Sequence, residues 1–124
     1  MNTPVSFEIA KLLAEKGFDN ATDTFYWLED ELNPEVIYGK TPRQKFHKEY
    51  GGSLSAPTIA QVVMWLYEMY GIWIYTVRDY DLPKFGYAIQ QPNIYSVLSH
   101  LHNDFNSSTE AYSNAIEFTL NNLI

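Results

Sequence analysis

The sequence predicts an α+β fold in which a small antiparallel β-meander is packed by three helices within one compact domain, residues 1–124. Three segments show the apolar period of amphipathic helices, and the segments between them are rich in aromatic and β-branched residues. The length of 124 residues suits one domain, since domains commonly hold about 100–150 residues. Within it, 29–56 is weakly periodic and is predicted to be a less regular insertion, of a kind that is often mobile.

The first helix is predicted over about 7–16 from the signals at its two ends. Ser6 is a residue type that caps helix N-termini, and Gly17 is the type that follows a last turn. Between them the apolar residues recur at helical spacing, so one face of this helix is predicted to lie in the core.

The second helix is predicted over about 57–70, with Pro57 in its first turn, Ser55 just before it and Gly71 after its end. Met64, Trp65 and Tyr67 extend the apolar surface nearly all the way round, so this helix is predicted to be central and buried. Its core face is predicted to hold Ile59, Val62, Val63, Leu66, Met69 and Tyr70.

The third helix is predicted over about 109–123. Ser107 and Glu110 precede it with the spacing of a capping box. The face predicted to be buried holds Tyr112, Ala115, Ile116, Thr119, Leu120 and Leu123.

Strands are predicted in the intervening segments. The predicted strands are 24–28, a short strand near 36–38, another near 46–50, and then 72–79, 85–90 and 94–101. The last of these also fits a helix, but the short Pro92-Asn93 break favours a third strand of a meander.

Composition excludes several classes of protein. The chain has no cysteine, which excludes disulfide frameworks and thiolate chemistry. Its longest apolar run, in 59–75, is interrupted too early for a membrane span of roughly 20 residues. The N-terminus lacks the basic-then-apolar order of a signal peptide, so an intracellular location is expected.

Charge is distributed unevenly along the chain. The whole chain has a net charge of −7. The window 40–48 carries +4 and contains no acid, and we call it the basic strip. The rest of the chain therefore carries −11. A surface of that kind repels phosphate, so direct binding of nucleic acid is not expected. The strip has three possible roles: pairing with acids on the same surface, contacting a partner, or joining two copies in a homodimer.

One spacing resembles a metal site. In a strand, His100, His102 and Asp104 would point to one side and could hold an ion as part of a metal-dependent hydrolase. The alternative is that they are polar residues of a solvent-facing strand. No other catalytic arrangement is visible, so the chain is expected not to be an enzyme and to need no cofactor.

Aromatic residues are the candidates for binding, and at 16% of the chain they exceed what a small core easily encloses. Most are expected in the core, but a minority could form a partner-binding face or a dimer face. A second reading is a small-ligand pocket with Arg43 or Arg78 meeting a charged group. The predicted binding residues are Trp27, Trp65, Trp73 and Tyr75, with Arg43, Lys45 and Lys48 from the basic strip.

Three blocks, 5–18, 55–68 and 106–120, together resemble a family of small uncharacterised proteins encoded by phages and prophages of gut bacteria. They correspond to the patterns VSFE-x-AKLL-x-EKGF, SAPT…WL-E and EAY-x-AI. The resemblance covers about a third of the chain and carries over no catalytic residue. It implies an accessory protein in the cytoplasm of a bacterial host, with differences between members in 19–54 and 78–105.

The function expected from these observations is binding of a host or phage protein by a non-catalytic, acidic interaction module. A small-ligand binder is the alternative, and a metal-dependent hydrolase is a further one. The binding partner would be a protein, with no membrane involved.

Overall fold

The computed structural model describes residues 2–39, 52–79, 81–93 and 97–124, and for 97–104 it describes the backbone alone. In these ranges the fold is α+β, as predicted. The elements are α1 (Phe7–Glu15), β1 (Thr24–Trp27), a 3₁₀ turn (Leu28–Asp30), β2 (Ile37–Tyr38), β3 (Ser53–Ser55), α2 (Ile59–Tyr70), β4 (Trp73–Arg78), β5 (Phe85–Gln90), β6 (Val97–Phe105) and α3 (Ser108–Asn122).

The caps of α1 and α3 follow the sequence signals. The Ile9 amide donates to the Ser6 hydroxyl at 3.3 Å, and the Glu110 amide donates to the Ser107 hydroxyl at 3.1 Å. The Glu110 carboxylate reaches back to the amide of Asn106, one residue before the cap. Each helix therefore begins where a side-chain oxygen replaces a missing backbone acceptor.

The predicted start of α2 is wrong by two residues. Its N-cap is Thr58, whose hydroxyl accepts from the Gln61 amide while the Gln61 side chain accepts from the Thr58 amide. Pro57 lies before the helix, where its carbonyl accepts from the Val5 amide at 2.9 Å. Gly71 ends the helix, as predicted, in the left-handed conformation with φ of 68°.

The predicted burial of α2 is correct for one side of the helix only. Ile59, Val62 and Leu66 are fully enclosed. Met69 was predicted on the core face but is 63% exposed, and Tyr67 is exposed as well. The helical spacing therefore identified the side that packs inward, but the apolar residues that extend nearly all the way round made too much of the helix look buried.

The first sheet has the antiparallel order β2-β1-β3. We call it the enclosed sheet because β1 and β3 are buried, although Tyr38 of the short strand β2 is exposed. Thr24, Phe25 and Tyr26 of β1 are all buried, and so are all three residues of β3. The strand near 36–38 is confirmed as β2, β3 was not predicted, and the strand predicted near 46–50 lies outside the described residues. Because β3 is buried, the end of the predicted insertion 29–56 belongs to the core.

The second sheet is the predicted meander, with antiparallel order β4-β5-β6. Each β4 residue pairs in register with β5, from Trp73–Gln90 to Arg78–Phe85. The ladder between β5 and β6 shifts register between the Tyr87–His100 and Phe85–Phe105 pairs. The segment 94–101, predicted as a strand, is described as β6 from Val97 onward.

One face of the meander is covered by helix. Ile74 and Ile89 are buried against Ile116 and Leu120 of α3, within a core cluster that also includes residues of α1 and α2. Helix α3 packs across β4 and β5. We call the side of the sheet that carries Ile74 its inner face and the opposite side its outer face.

Candidate functional site

The outer face of β4 presents a row of apolar side chains to solvent. Strand residues alternate between faces, so burial of Ile74 places Trp73, Tyr75 and Val77 on the other side. Their exposed fractions are 38%, 37% and 36%. We call these three residues the outer row. Two large rings and a valine on one strand face form the kind of patch that marks interaction surfaces.

Helix α2 extends this row. The rings of Tyr67 and Trp73 meet edge to face, with centroids 5.4 Å apart and planes at 78°. Tyr67 is 52% exposed. The turn at Gly71 brings the end of α2 directly onto the start of β4, because only Gly71 and Ile72 separate the two elements. The outer row therefore continues onto an exposed side of α2.

A depression of about 540 Å³ lies beside Trp73. Its floor is formed by Tyr67, Gly71 and Trp73, and its far wall by 90–93. Gly71 is close to this wall, since a Cβ atom there would lie 3.3 Å from Cβ of Pro92. The wall is polar and uncharged, with the side chains of Gln90, Gln91 and Asn93, so it supplies donors and acceptors next to an aromatic floor.

The described charged residues near β4 are one acid at its start and, at its end, two acids balanced by the bases Arg78 and Lys84. Glu68 is exposed in the last turn of α2, and Asp81 is exposed beyond the other end of the strand. Asp79 follows β4 directly, and its carboxylate accepts from the amides of Asp81 and Leu82. Arg78 is the single basic residue of β4.

Displaced pKa values are found at the hydroxyls of Tyr26 and Tyr87 and at Lys11 and Glu31. Burial raises the pKa of the Tyr26 hydroxyl, with a further contribution from Tyr38, and burial also raises the pKa of Tyr87. The hydroxyl of Tyr26 donates to the carbonyl of Val5 at 2.7 Å, so its neutral form has a structural role.

The other two groups form an ion pair. A hydrogen bond from Lys11 lowers the pKa of Glu31, and the same bond raises the pKa of Lys11. Their N–O distance is 2.9 Å. Neither this pair nor Tyr26 belongs to the outer row.

The four predicted aromatic binding residues occupy different surroundings. Trp65 is buried and meets Phe18 and Tyr70 edge to face. Trp27 is half-buried, and its ring meets that of Phe25. The depression beside Trp73 does not include Trp65, which lines a separate groove between α2 and residues 18–22. Only Trp73 and Tyr75 share one surface.

The remaining predicted site residues cannot be placed. Arg43, Lys45 and Lys48 lie outside the described residues, as does the rest of the basic strip. His100, His102 and Asp104 belong to β6, but their side chains lie outside the description. The register shift in this part of β6 means that the backbone pairing does not follow the regular alternation that the metal prediction assumes. That prediction stays a prediction.

Two residues of the surface formed by the outer row and Tyr67 were not predicted from the sequence as binding residues. Tyr67 was noted as part of the apolar circumference of α2, and Val77 as part of a strand, but neither was named for binding. The alternation Trp73, Tyr75, Val77 against Ile74 is visible in the sequence. Only the packing of α3 shows which of the two sets faces solvent.

Within the described residues, no group of three or more histidine and acidic side chains is arranged to hold a metal ion. In the same part of the chain, no helix combines the length and the apolar character that crossing a membrane would need. Comparison of the chain with protein-family models, with curated proteins and with solved structures gives no match. We therefore infer the function from the exposed residues of the molecule.

Proposed function

We propose that this chain is a non-catalytic, acidic module that binds another protein through the outer row and Tyr67. The observation that carries the proposal is the exposure of these four side chains on one continuous surface. Tryptophan and tyrosine are enriched at protein interfaces and dominate their binding energy. A polar wall beside Trp73 is the typical rim of such an interface.

The charge of the chain indicates the chemistry of the partner. The chain carries −7, and four of its eight basic residues fall within the window 40–48. Near the outer row, Glu68 is an acid at the start of β4, while Asp79 and Asp81 at its end are balanced by Arg78 and Lys84. A basic protein would be attracted to a chain of this net charge, and the same field disfavours direct contact with nucleic acid. An acidic protein of this kind could also occupy a basic groove that normally binds nucleic acid.

The resemblance to proteins of phages and prophages supports a role as an accessory protein in the cytoplasm of a bacterial host. In such a role the partner would be a host or phage protein, and no cofactor would be required. The segments 19–54 and 78–105, in which members of that family differ, adjoin or include parts of the open sheet. Recognition of different partners by a shared scaffold is typical of such segments.

Site-specific photo-crosslinking tests this proposal. A photo-reactive phenylalanine analogue replaces Val77 in one protein and Leu32 in the control. Leu32 is fully exposed and lies on the loop after the 3₁₀ turn, away from β4. In a lysate of a gut bacterium, the analogue at position 77 is expected to capture a basic protein that the analogue at position 32 does not capture.

The captured protein is then purified and its affinity is measured by calorimetry. The double variant Trp73→Ser/Tyr75→Ser is expected to bind at least roughly tenfold more weakly than the wild type, because hot-spot aromatics contribute that much or more. The control Leu32→Ser should bind like the wild type. Equal affinities for all three proteins would exclude the outer row as the binding surface.

Two other binding partners of this surface would give different experimental results. A second copy would give a dimer in size-exclusion chromatography with light scattering, and Trp73→Ser/Tyr75→Ser would dissociate it. A small ligand is the alternative favoured by the depression beside Trp73, whose volume falls within the usual range of about 300–1,000 Å³. A ligand there would quench Trp73 fluorescence without the need for a protein partner.

A further inference from the structure

Some backbone groups on the edge of β4 have no hydrogen-bond partner among the described residues. The Asp79 amide donates to the Lys84 carbonyl at 2.8 Å, so this pair is a hydrogen-bonded one. Bonded and non-bonded pairs alternate along an antiparallel ladder. Thr76 and Arg78 therefore direct their N–H and C=O groups away from β5. Among the described residues, no backbone group bonds to them on that side.

The same alternation of backbone groups, towards β5 and away from it, is visible at the start of the strand. The amide of Ile72 also points away from β5, and it donates to the carbonyl of Leu66 in α2 at 3.3 Å. Helix α2 thus occupies the edge beside Ile72. The second half of β4 carries the open part of the edge.

Within the described residues, this edge has little protection against strand addition. Proteins blunt such edges with charged residues, proline, a bulge or a cover. Strand β4 contains neither lysine nor proline, its single charged residue is Arg78 at its last position, and its ladder with β5 runs without a register shift over all six pairs. The opposite edge of the sheet, β6, does have a register shift. The two edges of one sheet therefore differ, and β4 is the one suited to pairing.

We propose that an extended segment of the partner protein adds to the edge of β4 as a fourth strand, and that this segment alternates apolar and polar residues and carries lysine or arginine near one end. This inference rests on the proposed function and names how the partner is recognised. Side chains on one side of the added strand would extend the outer row, while its backbone would bond to Thr76 and Arg78.

Charge favours this occupant over a second copy. The chain carries −7, so two copies repel each other and a basic segment is attracted. Glu68 lies at the start of β4, while Asp79 and Asp81 at its end are balanced by Arg78 and Lys84. The lysine or arginine of the added segment is therefore expected near Glu68.

Peptide display on the purified full chain tests the inference. The probe is a library of random 12-residue peptides. The enriched sequences are expected to alternate apolar and polar residues and to carry lysine or arginine near one end. A synthetic copy of an enriched peptide is then expected to slow hydrogen exchange of the Thr76 and Arg78 amides at least roughly tenfold, because bonded amides exchange only on opening.

The variant pair Thr76→Pro and Thr76→Val separates backbone pairing from side-chain contact. Proline removes the outward amide but is tolerated on an edge, so the fold should survive, which a thermal melt checks. Thr76→Pro is expected to weaken peptide binding roughly tenfold or more, because a backbone hydrogen bond is lost. Thr76→Val keeps the amide and should bind like the wild type.

Three results would overturn the inference. The first is that the library gives no enriched alternating sequences. The second is that enriched peptides bind Thr76→Pro as tightly as the wild type. The third is that the chain alone forms a dimer in which the Thr76 amide is already protected from exchange. A protein partner whose affinity falls with Tyr75→Ser but not with Thr76→Pro would contradict strand addition while leaving the proposed function intact.

Discussion

The two three-stranded sheets of this protein differ in what covers them. In the sheet β2-β1-β3, the paired residues of β1 and β3 are buried, apart from a half-buried Trp27. In the meander β4-β5-β6, α3 covers the inner face while the outer row is exposed. The same secondary structure thus serves two purposes in this protein. The first sheet is part of the core, and the second offers a surface.

The enclosed sheet satisfies its polar groups internally. The Thr22 hydroxyl donates to the carbonyl of Thr24, the Thr24 hydroxyl donates to the carbonyl of Ala56, and the Ser55 hydroxyl donates to the carbonyl of Asn20. In the described residues no buried side-chain oxygen or nitrogen is left without a partner. Buried polar groups that are all bonded stabilise one arrangement of the chain. The exposed row of β4 has no such constraint.

A matched pair of tyrosines gives the largest expected contrast. Tyr26→Ala, in the enclosed sheet, should lower the free energy of unfolding by about 3–5 kcal/mol, because it leaves a cavity where an aromatic ring packed. Tyr75→Ala, in the outer row, should lower it by about 1 kcal/mol or less. Urea unfolding of both variants measures the difference. Similar losses would show that the two sheets are equally integral to the core.

A glycine pair tests the junction that leads into the open sheet. Gly71→Ala should cost about 1–2 kcal/mol, because its φ of 68° is unfavourable for a residue with a side chain. The new Cβ would also lie 3.3 Å from Pro92. Gly17→Ala is the control, since φ there is also positive but no atom lies within 4 Å of a new Cβ. Thermal melts should show the larger loss for Gly71→Ala, and the reverse order would argue against close contact at Pro92.

The smallest expected effect concerns the ion pair beside the enclosed sheet, where Lys11 of α1 meets Glu31. The folded-state pKa of Glu31 is lowered by this pairing. The pair therefore stabilises the fold at pH values above the ordinary range of glutamate, and the effect is lost as the pH falls through the lowered pKa. Carboxyl NMR titration should show the Glu31 midpoint rising in Lys11→Met.

Lys16→Met is the matched control for that titration. It removes the same charge from the end of α1, where Lys16 donates to the carbonyl of Ile124 rather than to an acid. The Glu31 midpoint should stay unchanged in this variant. An equal rise in both variants would indicate a general field instead of a specific pair.

The sequence was most informative where a local signal determined the structure. Caps at Ser6 and Ser107 located two helices, and the strand 85–90 was predicted with its observed bounds. At α2, Pro57 and Ser55 were given more weight than the pair Thr58 and Gln61, although the latter has the capping-box spacing. The tertiary role of Pro57, as acceptor from Val5, could not be read locally.

The candidate site was only partly predictable because exposure depends on distant partners. Trp73 and Tyr75 were named in advance, but Trp65 was named with them and is buried against Phe18, forty-seven positions earlier in the chain. Strand β3 was missed for the same reason. It is three residues long and is defined by its pairing with β1. Long-range packing decides such features, and local patterns do not encode it.

Native-state hydrogen exchange of the free protein tests the contrast between the two sheets most directly. We predict that the ladder amides of β1 and β3 exchange only through global unfolding, while the edge amides of Thr76 and Arg78 exchange rapidly. Slow exchange of Thr76 and Arg78 at low protein concentration, matching that of β1, would contradict it. The edge of β4 would then be covered in the free chain and unable to accept a partner.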